Sequence, residues 1–433
     1  MQLVCFSHLS WKFVYQRPQH VLSRFTDKYT VYYIEECIHS NEEDGYSTHV
    51  TDENVTVVVP HLNNTLHRKT NEKKRIENIL NNFFDEYSIT SYVFWYYTPM
   101  ALAYTTHFHP IATVYDCMDE LSAFKFAPPE LKLFEQELFQ KADIVFTGGN
   151  NLYEAKKTQH KNIYSFPSSI DKAHFQAARE NETEFDDQAA IPHPRLGFYG
   201  VIDERFDIDL IKQAADAKPD WHFVLIGPVI KIDEATLPQN KNIHYLGAKS
   251  YGELPSYLSG WDIALIPFAI NESTRYISPT KTPEYLAGGK PVISTAITDV
   301  VNPYQELGLV HIIQNAEDLV KIATTELNAT NKQEWLTSVD AYLSAISWDA
   351  TWEQMDELMQ IEIDKNQNSP YITAIRGTQI QGKLGQHIDA ILTLQFFNQL
   401  LPTLKNEAMK TKVKAAIQIC VDKIEKSMDN SGK

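Results

Sequence analysis

Short apolar runs alternate with amphipathic, helix-forming segments along most of the chain, and no other feature limits its fold as much. In residues 1–170 the runs at 2–6, 30–34, 55–59, 91–95, 111–115 and 143–147 are rich in β-branched and aromatic residues. Segments 18–26, 70–85, 130–141 and 150–158 carry their apolar residues at helical spacing. Such alternation predicts a parallel sheet covered by helices. Residues 176–194, QAARENETEFDDQAAIPHP, break the rhythm. They are polar and acidic and end in Pro-His-Pro, so they read as an interdomain linker or a long surface loop. A second alternating block follows, with strands expected at RLGFYG, HFVLIG, IHYLG, DIALIPF, PVIST and LVHII. Two such sheets predict a cleft between two α/β domains.

The boundaries expected from this reading are a first domain over 1–170, a linker over 171–194 and a second domain over 195–345. A helix over 346–365 then returns to the first domain, and 366–433 form a helical appendage. A net charge of −17 argues against nucleic-acid binding and against wholesale adsorption to an anionic membrane. No apolar run approaches the ~20 residues that span a bilayer. The N-terminus lacks a basic region followed by an apolar stretch, so a cytoplasmic location is expected, with the inner membrane face as a possible station. Cys5, Cys37, Cys117 and Cys420 have neither metal-type nor redox-type spacing.

The chemistry concentrates in SPTKTPEYLAGGKPVIST, residues 278–295. Thr282 can cap a short helix begun by Pro283, and Gly288–Gly289 can end it before the next strand. A helix start with Lys281 beside it suits a phosphate. Glu284, in the first turn, can accept hydrogen bonds from both hydroxyls of a ribose. A capping carboxylate with a solvated lysine is the plainer reading of the same residues.

Glu284, Tyr285, Leu286, Ala287, Gly288, Gly289, Lys290, Pro291, Val292 and Ile293 together resemble the second half of the sugar-nucleotide motif of the group-1 (retaining-type) glycosyltransferases. GFYGVIDERFDIDLI resembles that family's first second-domain strand and phosphate loop. DWHFVLIGP, NIHYLGAKSYGELPSYLSGWDIALIPF, ADIVFTGGNNLYEA and SWDATWEQMDEL resemble further units in the family's order. The resemblance covers roughly residues 1–362. It implies a GT-B fold, with two Rossmann-like domains facing across a cleft, and an enzyme of the kind that builds exopolysaccharide or cell-wall polymers. A nucleotide diphosphate sugar, UDP-linked by family frequency, is the implied donor, and a glycan or lipid-linked hydroxyl the implied acceptor.

On this resemblance Arg205, Lys281, Glu284, Gly200, Ser278, Thr280 and Tyr276 face the donor. Many relatives have a glutamate where Tyr276 stands, so sugar contacts at that edge differ. No cofactor and no metal are expected, because Lys281, Arg205 and the helix start already offer positive charge to a diphosphate.

The opening loop, FSHLSWKFVYQRPQHVLSRF, has no phosphate-cradling glycine. In a GT-B enzyme this loop faces the acceptor, so His8, Arg17, Gln19 and His20 are acceptor-binding candidates; a surface-helix role for Arg17 and His20 is the alternative. After the strand ending near Tyr115, Asp116, Asp119 and Glu120 are expected at the same cleft edge. Asp119 aligns with an aspartate of the relatives and is the catalytic candidate, with Asp116 as a sugar contact and Met118 where relatives carry histidine.

His107 and His109 form an HxH pair that lacks a partner cluster. Residues 67–84, with Arg68, Lys69, Lys73, Lys74 and Arg75, form a basic amphipathic helix able to touch a membrane, although a solvated helix face is the plainer reading. A catalytically degenerate binding subunit and a nucleotide-sugar epimerase are the rival functions; donor hydrolysis without acceptor separates the first of them from the transferase.

Overall fold

The computed structural model describes residues 1–64, 71–180, 183–330 and 332–367, together with 401, 410–415 and 417–418. Apart from residues 366 and 367, which end the helix Trp348–Gln367, and those last few positions, the expected appendage lies outside the described residues.

The first sheet contains β1 (Gln2–Phe6), β2 (Thr30–Ile34), β3 (Ile38–Ser40), β4 (Gly45–Val50), β5 (Thr56–Asn63), β6 (Tyr92–Tyr96), β7 (Thr113–Cys117), β8 (Ile144–Thr147) and β9 (Ile163–Ser165). Their order is β3-β5-β2-β1-β6-β7-β8-β9, with β4 antiparallel on β5 and the other pairings parallel. Strand alternation feeds two cores at once. Leu3 and Cys5 of β1 join Val21, Leu22 and Phe25 of the helix Arg17–Phe25 on one face. Val4 and Phe6 join Ile79, Leu80 and Phe83 of the helix Glu72–Glu86 on the other. A sheet buried on both faces needs apolar residues at every position, which is why β6 reads YVFWY.

The second sheet holds β10 (Arg195–Tyr199), β11 (His222–Ile226), β12 (Ile243–Gly247), β13 (Ile263–Ile266), β14 (Val292–Thr295) and β15 (His311–Ile313). All are parallel, in the order β12-β11-β10-β13-β14-β15. The segment expected as a polar linker is built into this domain instead. It forms the short helices Lys172–Gln176 and Asp186–Ala189, and Phe175, Ala178 and Ile191 enter the second core. Gln188 is buried there, accepting from Trp261 Nε1 at 2.9 Å and donating to the Tyr257 carbonyl at 3.0 Å. Its few apolar residues, widely spaced, gave no periodic signal.

The helix Trp348–Gln367 crosses back, and its Trp348, Met355, Met359 and Ile363 bury in the first domain. Among the described residues no helix is long and apolar enough to cross a membrane.

The domains meet along a hydrogen-bonded seam. Asp299 of the second domain accepts from the Asn150 and Asn151 amides at 2.9 and 3.0 Å, so it caps the first-domain helix Asn150–Lys156. Gly149 allows this approach, since a Cβ there would fall 2.2 Å from Asp299 Oδ2. Ser168 Oγ donates to the Ser278 carbonyl at 2.6 Å.

Candidate functional site

Loops leaving the carboxyl ends of β1, β7, β10, β11 and β12 converge with the helix Lys281–Ala287 on a cleft of about 220 Å³. Parallel α/β sheets bind ligands at these ends, because the strands stop there and the loops diverge.

On the second-domain wall, Gly200, Arg205, Thr280, Lys281 and Glu284 all line the cleft. Arg205 Nε and Nη2 are held by Asp203, the shortest contact being 2.7 Å, while its guanidinium lies 5.3 Å from the Phe124 ring centre. Nη1 is left for a ligand. Lys281 rests against aromatic rings, 5.8 Å from that of Phe198 and 5.7 Å from that of Phe268. Burial pushes its ammonium down, and Arg205 adds to the effect. Glu284 accepts from Tyr199 Oη at 2.8 Å, and burial pushes its carboxyl up. A buried cation that destabilises its own charge gains most from an incoming anion.

Gly200 makes room for that cation. Its φ of +144° is one that side-chain-bearing residues rarely adopt, and a Cβ would lie 2.3 Å from Lys281 Cε. Gly200→Ala is therefore expected to displace Lys281 and weaken nucleoside diphosphate binding while leaving far-UV circular dichroism unchanged. Calorimetry on the variant checks it, and unchanged affinity would remove Lys281 from the site.

Three expectations for this wall need correction. The helix starts at Lys281, so Thr282 is no cap; it lies in the first turn, fully buried, with Oγ1 unpartnered. Ser278 sits at the domain seam, where its carbonyl is already engaged by Ser168. Tyr276 packs against the first-domain core beside Arg275, because its ring is better buried than exposed to a sugar.

The first-domain wall departs further from expectation. His8 lines the cleft with Nδ1 unpartnered; burial, then the charge of Lys231, holds its pKa down at about 4. Arg17, Gln19 and His20 are neither acceptor ligands nor surface residues. Arg17 donates from Nε to Asp116 Oδ2 at 2.9 Å, from Nη2 to Oδ1 at 2.8 Å and from Nη1 to the Phe166 carbonyl at 2.6 Å. Asp116 is thereby consumed as well, and it is wholly buried. Gln19 closes a capping box with Gln16 and donates to the Trp11 carbonyl at 2.7 Å. His20 stacks on Trp348 with ring centres 4.6 Å apart.

Asp119 does line the cleft. Burial raises its pKa to about 6, against the pull of Arg205, Arg17 and Lys281. Glu120 turns away and pairs with Lys156 at 2.7 Å.

Asp203, Lys231, Tyr15, Tyr199, Tyr251 and Phe124 also line the site and were not singled out in the sequence. Asp203, two residues before Arg205, was the one with a readable signal. Tyr251 stacks on Tyr15 at 4.6 Å across the domains, a pairing that no local pattern announces.

His107 bonds Asn81 at 2.9 Å, and among the described residues no three His, Cys, Asp or Glu side chains group as metal ligands would. In the basic helix, Arg68 and Lys69 lie outside the described residues. Arg75 is buried against Asp44, leaving Lys73 and Lys74 exposed, the latter paired with Glu77.

Residues 193–327 match the family model described as Glycosyl transferases group 1. A Bacillus subtilis (strain 168) protein, provisionally named teichuronic acid biosynthesis glycosyltransferase TuaH, is 26% identical over 200 residues, which is 42% of this chain and 50% of that one. The chain thus spans about half the length of the curated relative it matches. Sucrose-phosphate synthase from Thermosynechococcus elongatus has a similar structure, with a TM-score of 0.61 at 13% identity, covering 83% of this chain and 98% of that one. HepE from Anabaena, in complex with UDP and glucose, gives a TM-score of 0.61 at 12% identity, over 83% and 99% of the two chains. At these identities the likeness speaks for the fold alone. Residues 193–327 thus carry a glycosyl transferases group 1 domain, with Glu284 of its motif lining the cleft, and the chain as a whole has the two-domain GT-B architecture of these neighbours.

Proposed function

We propose that the chain transfers a sugar from a nucleoside diphosphate sugar, held on the second domain, to a hydroxyl of a glycan or lipid-linked acceptor in polysaccharide biosynthesis. The observation that carries this reading is the buried, unpaired Lys281 beside Arg205, facing Asp119 across the same cleft. In the transfer, an acceptor oxygen forms the new bond to the anomeric carbon as the bond to the diphosphate breaks. The leaving diphosphate gains negative charge, which Lys281 and Arg205 are placed to neutralise. Glu284, near Lys281 and held by Tyr199, would accept from the ribose hydroxyls on this reading.

UDP is the nucleotide to try first, given the family frequency of UDP-linked donors. Glu284→Ala is expected to weaken UDP binding by about 1–3 kcal/mol, the scale of lost charge-assisted hydrogen bonds. Unchanged calorimetric affinity in both Glu284→Ala and Lys281→Ala would defeat the assignment.

The reaction is also expected to need no divalent ion, because the two cations meet the diphosphate directly. Turnover should persist in EDTA. Loss in EDTA with recovery in magnesium or manganese would overturn that expectation.

A further inference from the structure

Asp119 stands on a turn that buried charge fastens from behind. Residues 118–124 leave β7 and bring Met118, Asp119, Leu121 and Phe124 to the cleft wall. Glu120, between them, faces the other way and meets Lys156, the last residue of the helix Asn150–Lys156, at 2.7 Å. The same ammonium meets Glu135 of the helix Leu131–Lys141 at 2.8 Å. Only 6% of the Lys156 side chain is accessible, so the triad forms nearly out of water. Separating such charges is costly where water cannot replace the lost partner. Tyr115 Oη donates to Glu135 at 2.9 Å, and Ser122 Oγ donates to Glu120 at 2.6 Å.

The backbone of the turn is tied down at the same place. The Gly148 amide donates to the Cys117 carbonyl at 2.9 Å, and a Cβ on Gly148 would fall 2.1 Å from the Met118 oxygen. Burial pushes the Cys117 thiol up, so it keeps its proton and donates to the Asp119 carbonyl at 3.6 Å. Lys156 itself lies behind the wall and does not line the cleft. Resting on the transferase reading above, with Asp119 as its reacting carboxylate, we infer that Lys156 is a positioning residue: through Glu120 it holds the Asp119 carboxylate at its working distance from the acceptor. A misplacement of about 1 Å can cost about 10²-fold in rate.

The experiment follows UDP release by the full chain from UDP-glucose, UDP-galactose and UDP-N-acetylglucosamine, with p-nitrophenyl β-glucoside or water as acceptor. Glu120→Ala frees the turn yet leaves Lys156 paired with Glu135, so the variant should fold. Its kcat is expected to fall by about 10²-fold while KM for the sugar nucleotide stays within about twofold. Combined with Asp119→Asn it is expected to add less than about twofold, because the two changes remove one function. Lys156→Met should melt at a lower temperature and, where folded, repeat the kcat loss of Glu120→Ala.

Wild-type kcat in Glu120→Ala or in folded Lys156→Met, a loss carried by KM, or full additivity with Asp119→Asn would each overturn the inference. An unimpaired Asp119→Asn would instead remove Asp119 as the reacting group, and no UDP release by the wild type would remove the transferase reading; either takes the inference with it.

Discussion

Replacing Asp119 with asparagine is expected to cut turnover by about 10²–10⁴-fold while nucleoside diphosphate affinity stays undiminished, if this carboxylate takes the acceptor proton. The residue lines the same cleft as Arg205 and Lys281. A base must be ionised to act, and burial holds Asp119 at about 6. Wild-type turnover should therefore rise with pH through about 6 and level off above it. The variant should lose that limb of the profile. Should the reaction retain the anomeric configuration, the leaving phosphate can take the proton; Asp119 then orients a sugar and the loss is smaller. Near-full turnover in Asp119→Asn with a working acceptor would make the residue structural. Asp116 and Glu120 are poor replacements for it, since Arg17 and Lys156 hold them.

The second large effect is on stability. Arg17→Ala is expected to destabilise the first domain by about 3–5 kcal/mol, because it leaves Asp116 charged, buried and unpaired. Both side chains are almost wholly out of solvent, at 6% and 0% accessibility, so little water is available to compensate. The phenylalanine carbonyl at 166 loses its donor as well. Urea unfolding of the first domain measures the cost. Removing both charges with Arg17→Met and Asp116→Leu should restore most of it, since two apolar side chains leave no orphaned ion. A midpoint unmoved by Arg17→Ala would show that the pair stabilises nothing and would reopen Arg17 as an acceptor contact.

These outcomes mark where local pattern was informative. The buried strands were legible because a strand covered on both faces must be apolar throughout, as in YVFWY. The edge strands β3 and β4 were not, since most of their residues are exposed or half-exposed and carry no apolar run. Lys281, Glu284 and Arg205 were legible as site candidates because short-range spacing sets their positions beside a helix start and a strand end. Arg17 was misread because its partner lies 99 residues away, and a lone arginine in a polar loop looks available. His20 was misread for the same reason, with its stacking partner Trp348 near the far end of the fold. Tyr276 and Ser278 had the right neighbourhood in sequence, but the chain reaches the seam before it reaches the cleft.

Asp299 has a mechanical meaning as well as a structural one. Its carboxylate grips two amides of the other domain. The two chain crossings, at 165–169 and 345–354, line the same hollow as Asp299 does. Translating one domain away from the other would break both bonds and stretch both crossings together. A rotation about that line would keep them and part instead the Tyr15–Tyr251 stack and the mouth where Phe13 and Leu121 stand. The seam is thus placed as a fulcrum, about which the cleft would open before the seam itself gave way.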